Sequence, residues 1–259
     1  MLNEELEKYK KFFYDFVNEY YNDDIQVNKN VKLKYNHTLR VCKNIVEIAK
    51  SLRLNKNDIN LAEVIALFHD IGRFEQLRLY NTFNDKISED HSELSVKILK
   101  SENILKNIND IDREIIYTAI KYHNKRIVPD SIDKRTELFS KLIRDSDKLD
   151  ILKVLSEYYK DENKDKNSTL ELDLNDNGEC SDSVLNDIFK KAPVNFENIK
   201  NTYDYKLGQI SWIFDINFDY TLKKIVEYKY IDMILNTLPK KDKINKVKAY
   251  IQDYLTARL

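Results

Sequence analysis

Apolar residues recur at three- and four-residue intervals along most of this 259-residue chain, the spacing of one face of an α-helix. Residues 2–21 place Leu6, Tyr9, Phe12, Phe13, Phe16 and Tyr20 on one side. A helix is expected from His37 to about Leu52, capped by Asn36, with Cys42, Ile45, Val46, Ala49 and Leu52 at helical spacing. The next segment, INLAEVIALFHDIG, is apolar on nearly every side. It should be the central buried helix, with Asn57 or Asp58 as cap and Gly72 as its C-terminal glycine. Residues 74–90 are polar and read as a loop. Helices are then expected from His91 to about Lys100, with Asp90 as cap, from about Asp112 to His123, and from Thr136 through Tyr159. The polar stretch 161–183 reads as an exposed loop or small hairpin. Two or three more helices follow, one of them aromatic-rich around 210–230, and Pro239 breaks the last pair.

Composition sharpens this pattern. Three glycines and three prolines are too few for the turns of an all-β fold or the glycine-rich loops of a doubly wound α/β fold. The expected class is all-α. One domain spans 1–160, and a C-terminal loop and helical extension, 161–259, packs on it as one compact unit. Net charge is −1, so no global field draws the chain to nucleic acid or a membrane. The lysines of NKRIVPDSIDKR and LPKKDKINKVK are interspersed with acids and read as solvated faces. Trp212, Phe214, Phe218 and Tyr220 sit at helical spacing, which favours core packing over base stacking. The longest apolar stretch, Leu61–Phe68, is interrupted by Glu63 and far too short to span a bilayer. The charged N-terminus lacks an apolar signal core, so a cytoplasmic location is expected. Cys42 and Cys180 lie far apart, outside any CxxC pattern, and read as reduced thiols. The aromatic stripes at 2–21 and 210–230 leave core packing and a homodimer contact both open.

The chemistry lies in the histidines. The chain has four, His37, His69, His91 and His123, and none follows. Asp70 directly follows His69, and Asp145, Asp147 and Asp150 form an acidic group further on. A neutral imidazole offers a lone pair near physiological pH, which makes histidine the commonest metal-binding side chain. Each of the four lies at the edge of an expected helix, and helix ends in a bundle can converge on one metal site. Phe139, Ile143, Asp147, Ile151 and Leu155 recur every fourth residue. Asp147 therefore interrupts an apolar stripe, where a buried ligand belongs. Asp145, flanked by Lys141 and Lys148, reads as a surface residue and stands as the alternative ligand. Asp150 could support Asp147 from behind.

The order His37, His69-Asp70, His91, His123, Asp147 resembles the HD superfamily of metal-dependent phosphohydrolases. The string LFHDIGR is very like that family's central-helix signature, and RDSDKLD looks like its closing motif, whose D-x-L-D pattern maps the last ligand to Asp147. The resemblance covers roughly residues 33–155. It implies an HD-type helical bundle with additional C-terminal helices. It also implies a metal site of His37, His69, Asp70 and Asp147, with His91 and His123 completing a binuclear version in which Asp70 bridges. One or two divalent ions are expected, with Fe, Mn, Co, Zn, Ni and Mg all open.

The leading expectation is hydrolysis of a phosphate mono- or diester by metal-activated water. The substrate is a small phosphorylated molecule, with nucleotides typical of the family. Asp70 and Arg73 are the expected catalytic residues, Arg73 as a phosphate clamp; its alternative is a solvated arginine beyond a helix end. Lys148 is a weaker candidate for phosphate contact and reads first as surface charge. Two other readings remain. One is a di-iron HD-type oxygenase acting on a small polar substrate, since imidazole and carboxylate ligands suit several metals. The other is a ligand-sensing module without turnover.

Overall fold

The structure is a computed structural model that describes residues 2–161, 174 and 179–259. Among these residues every regular element is helical. Most of the stretch expected as a loop or hairpin at 161–183 lies outside the described residues. The chain divides into two compact units, Met1–Asp147 and Lys148–Leu259.

The first unit is built around the helix with the most apolar sequence. It contains α1 (Leu2–Asn18), α2 (Ile25–Ser51), α3 (Lys56–Phe68), α4 (Gly72–Tyr80), α5 (His91–Ser101), α6 (Asp110–Tyr122) and the first part of α7 (Lys134–Lys160). In α3 every residue from Ile59 to Phe68 except Glu63 is buried, and α3 packs against α1, α2 and α6. Fully burying one Leu, Ile or Phe side chain is worth roughly 1.5–3 kcal/mol, so this helix is a principal source of the unit's stability. The α1 stripe closes one side of it: Tyr9 meets Phe68 edge-on at 5.8 Å and Phe13 meets Phe74 at 5.9 Å. Side chains cap four of these helices. Asp24 accepts from Gln26 N and Val27 N, Asn55 from Asp58 N, Asp90 from Ser92 N and Glu93 N, and Asn109 from Asp112 N. Each such cap contributes about 1 kcal/mol.

Three expectations are corrected here. The second helix begins at Ile25, capped by Asp24, not at His37; Asn36 is an interior residue, because the polar run before it continues the helix and buries Val31. Residues 74–80 are not loop but most of α4. Gly72 does not end α3 but opens α4, and its lack of a side chain serves a close approach. A Cβ there would collide with the His91 carbonyl and lie 2.6 Å from Ser95 N. The Gly72 N–H donates to Ser95 Oγ at 2.9 Å, which ties this turn to α5.

The second unit holds the rest of α7, α8 (Asp182–Phe189), α9 (Thr202–Ile210), α10 (Asp219–Glu227), α11 (Tyr230–Leu235) and α12 (Asp242–Arg258), with two short 3-10 turns at Phe196–Asn198 and Ser211–Asp215. Its core joins Leu152, Val184, Ile188, Leu207, Ile210, Ile225, Ile234, Val247 and Ile251, with Trp212 and Phe214 packed against it. The aromatic stretch around 210–230 is therefore not one helix but a 3-10 turn and α10. Asp204 is fully buried, and it pays for that position by accepting from both Ser181 N and Ser181 Oγ at 2.7 Å. Lys148 is not a surface charge. It is mostly buried and pairs with Asp215 at 2.6 Å. Cys42 and Cys180 are both buried free thiols. No helix among the described residues is long and apolar enough to cross a membrane.

Candidate metal centre

Five segments of the first unit each deliver a side chain to one place. The C-terminal end of α3 brings His69, at the cap position, and Asp70. The interior of α2 brings His37, one turn beyond Lys34. The first residue of α5 is His91, the cap position of α6 is His123, and α7 supplies Asp147. All four histidines and Asp70 are buried, and the Asp147 side chain is 15% exposed.

The hydrogen bonds at the outer ring nitrogens decide where the imidazole protons sit. His69 Nδ1 lies 2.7 Å from Ala66 O, His123 Nδ1 lies 2.6 Å from Ile120 O, and His91 Nδ1 lies 2.7 Å from Asp85 Oδ2. Carbonyl and carboxylate oxygens only accept, so each Nδ1 carries a proton, and in a neutral ring so held Nε2 presents its lone pair inward. His91 Nε2 and His123 Nε2 are 3.1 Å apart. Two lone pairs at that distance repel unless a cation sits where both can reach it. His69 Nε2 is likewise buried with no hydrogen-bond partner.

Asp70 divides these rings into two pairs. Its Oδ2 is 3.6 Å from His37 Nε2 and 3.7 Å from His69 Nε2. Its Oδ1 is 3.4 Å from His91 Nε2 and 3.7 Å from His123 Nε2. Asp147 Oδ1 lies 3.1 Å from His37 Nε2 and 3.8 Å from His69 Nε2. Three overlapping groups have ligand atoms within 4.8 Å of one another: His37, His69 and Asp70; His69, His123 and Asp147; and Asp70, His91 and His123. The donor set of imidazole nitrogens and carboxylate oxygens suits a divalent transition ion. These residues fit such an ion.

The electrostatics agree. Burial pushes His69 and His91 down to about 4, so both are neutral near pH 7. Burial alone would raise the Asp70 carboxyl, but Lys34 and the surrounding imidazoles hold it well below the usual range. Asp147 is held low in the same way, chiefly by His37.

A family model for the HD domain matches residues 35–166, just over half of the chain. The chain belongs to the HD domain family. No curated protein and no solved structure matches it.

The surroundings of four residues of this HD domain were open or misread in the sequence. His37 is not near a helix N-terminus but well inside α2. Asp145 is not a surface residue: it is fully buried, and the groups that could hold an ion contain Asp147 and not Asp145. Its flanking lysines are a poor guide, because Lys141 and Lys148 are themselves partly buried, Lys148 in its ion pair with Asp215. Asp150 is also buried and belongs to the second unit. Arg73 is not a solvated arginine. It lies in the first turn of α4, 14% exposed, with Nε 3.7 Å from Asp70 Oδ1. Its Nη1 donates to Phe83 O at 2.6 Å, Gln76 Oε1 at 2.8 Å and Asp85 Oδ1 at 3.1 Å.

Sequence reasoning missed four participants. Lys34 Nζ sits 2.8 Å from Asp70 Oδ2; its position one turn before His37 was the available signal. Asp85 and Gln76 hold His91 and Arg73 from a loop and from α4, and nothing periodic marks them. Arg144 donates through Nη1 to Tyr122 O, His123 O and Lys125 O. It thereby satisfies carbonyls at the end of α6 that would otherwise be orphaned, and so holds His123 in place.

Proposed function

We propose that the protein is a metal-dependent phosphohydrolase that cleaves a phosphate mono- or diester of a small molecule, nucleotides included. The observation that carries this reading is the division of Asp70, one oxygen toward His37 and His69 and the other toward His91 and His123. His37, His69, Asp147 and Asp70 Oδ2 would hold one divalent ion, and His91, His123 and Asp70 Oδ1 a second. Ions bound there supply an acidified water and neutralise charge on the phosphate oxygens.

The chain's own side chains do the rest. Asp70 and Asp147 are ionised and can only accept, so neither repels a bound cation nor donates to substrate. Arg73 has a buried Nε–H with no acceptor, 3.7 Å from Asp70 Oδ1. Its Nη1 is held by the loop, so the free donor keeps its direction and is preorganised for a phosphate oxygen. Lys34 approaches the other oxygen of Asp70. Two cations flanking the central carboxylate favour an anionic substrate over a neutral one, and this supports hydrolysis of a phosphate ester over oxygenation of a neutral polyol.

The test is purification of the full chain without chelator, elemental analysis, and assay with p-nitrophenyl phosphate, bis-p-nitrophenyl phosphate and a nucleotide panel under Mn²⁺, Co²⁺, Zn²⁺, Ni²⁺, Fe²⁺ and Mg²⁺. Metal-dependent release of phosphate or phenol, abolished in Asp70→Ala, is the expected result. Bound iron with oxygen uptake and no ester hydrolysis would replace this reading with the oxygenase.

A further inference from the structure

Asp85 lies in the loop between α4 and α5 and belongs to no motif. Its two oxygens face different groups. Oδ2 is 2.7 Å from His91 Nδ1 and 3.4 Å from Asn124 Nδ2. Oδ1 accepts from Gln76 Nε2 at 2.8 Å, Arg73 Nη1 at 3.1 Å and the His91 backbone N at 3.3 Å. Gln76 is fully buried and also donates to Ser88 Oγ and Glu89 O, so the loop is held from beneath. One carboxylate therefore joins the imidazole nearest Asp70 Oδ1 to the arginine beside that same oxygen.

Asp85, Asp90 and His91 could also be read as a cation site of their own. Their existing bonds argue otherwise. Asp90 Oδ1 caps α5 and its Oδ2 pairs with Lys125 at 2.5 Å, while His91 Nδ1 is already engaged by Asp85. This group is a closed hydrogen-bond network.

We propose that Asp85 is the positioning residue of the metal centre: one oxygen sets the tautomer of His91 so that Nε2 keeps its lone pair toward Asp70 and His123, and the other fixes the direction of Arg73. The inference deepens the proposed function, because it takes His91 as a ligand of the second ion. Outer carboxylates of this kind orient metal-binding imidazoles and raise their basicity.

The chemistry makes a specific demand of Asp85→Asn. Three donors converge on the Oδ1 position, so the new amide must place its oxygen there. Its N–H then faces His91 Nδ1, which can accept only if the ring proton moves to Nε2. Asn124 can turn its own amide to suit. An isosteric change thus reverses a tautomer, and a ring protonated at Nε2 cannot bind an ion through that atom.

Nitrogen-15 NMR of selectively labelled histidines in the full chain, freed of metal, reads this directly. Four histidines keep the spectrum simple, and His91→Gln assigns the signal. The expected result is an Nδ1–H tautomer for His91 in the native chain and an Nε2–H tautomer in Asp85→Asn. Mn²⁺ titration should then show the second ion bound 10- to 100-fold more weakly in the variant. A native His91 protonated at Nε2 overturns the proposal even if the variant does not fold. So does Asp85→Asn with the native tautomer, whatever its metal affinity. The NMR measurement involves neither metal nor substrate, so a failure of the phosphohydrolase reading leaves it standing. Full ester hydrolysis by a variant with unchanged tautomer would remove this inference alone.

Discussion

Lys34 Nζ lies 2.8 Å from Asp70 Oδ2, on the carboxylate that also faces two pairs of imidazoles. Both partners are largely buried, at 16% and 4% side-chain exposure. Without a cation in the centre, Lys34 is the ammonium that compensates Asp70. Removing one partner of a buried pair leaves an uncompensated charge and costs about 3 kcal/mol or more.

Lys34→Met should therefore be destabilised by about 3 kcal/mol in chelator, and saturating Mn²⁺ should restore most of the loss, because a bound divalent ion replaces the missing charge. Urea unfolding of both forms, with EDTA and with Mn²⁺, checks this. Equal midpoints in EDTA would show that Lys34 does not compensate Asp70.

Acid should weaken the metal-free protein in a defined window. His69 and His91 are pushed down to about 4 in the folded chain from an ordinary value of 6.5. Above pH 6.5 both are neutral whether folded or not, and stability is independent of their titration. Between 6.5 and 4 the unfolded chain takes up protons that the folded chain refuses, so stability falls as pH falls, by up to about 1.4 kcal/mol per pH unit for each ring. Asp70 and Asp147 are shifted downward, so the stability they contribute is lost as pH falls through the ordinary carboxylate range, which adds to the histidine loss at the acid end of the window and does not offset it. The urea midpoint in EDTA should drop from pH 7 to pH 5, and Mn²⁺ should delay the drop, since ion and proton compete for the same Nε2 atoms. A midpoint flat across that range would contradict the buried neutral rings.

Gly72→Ala should separate the packing role of this glycine from any turn role. The added Cβ meets backbone atoms of α5, His91 O and Ser95 N, which cannot rotate away. A loss of about 3 kcal/mol is expected, the upper end for overpacking. His91 rides on the displaced helix, so Mn²⁺ affinity should fall with it. Thermal melting and Mn²⁺ titration read the two effects. A variant as stable as the native chain would mean α4 and α5 approach less closely than described.

Much of this protein was legible in one dimension, because helices and their caps are local. The apolar run of α3, Asp90 as the cap of α5, and the all-helical class follow from residues within a few positions of one another. The six candidate ligands were also visible, since a cluster of all the chain's histidines with Asp70 and Asp147 is a pattern of residue types. Local signals misled where they had two meanings. Asn36 can cap a helix or sit inside one, and Gly72 can end a helix or admit a neighbouring backbone. The lysines near Asp145 suggested solvent around a carboxylate that is fully buried.

The sequence by itself determined the helices and the stock of imidazoles and acids. Only the tertiary structure decided which oxygen of Asp70 faces which pair of rings, that Lys34 and Arg73 flank it, and that Asp85 reaches back from a loop to hold His91. Those facts depend on contacts between residues far apart in the chain, where side-chain direction and burial are set by packing and no periodicity records them.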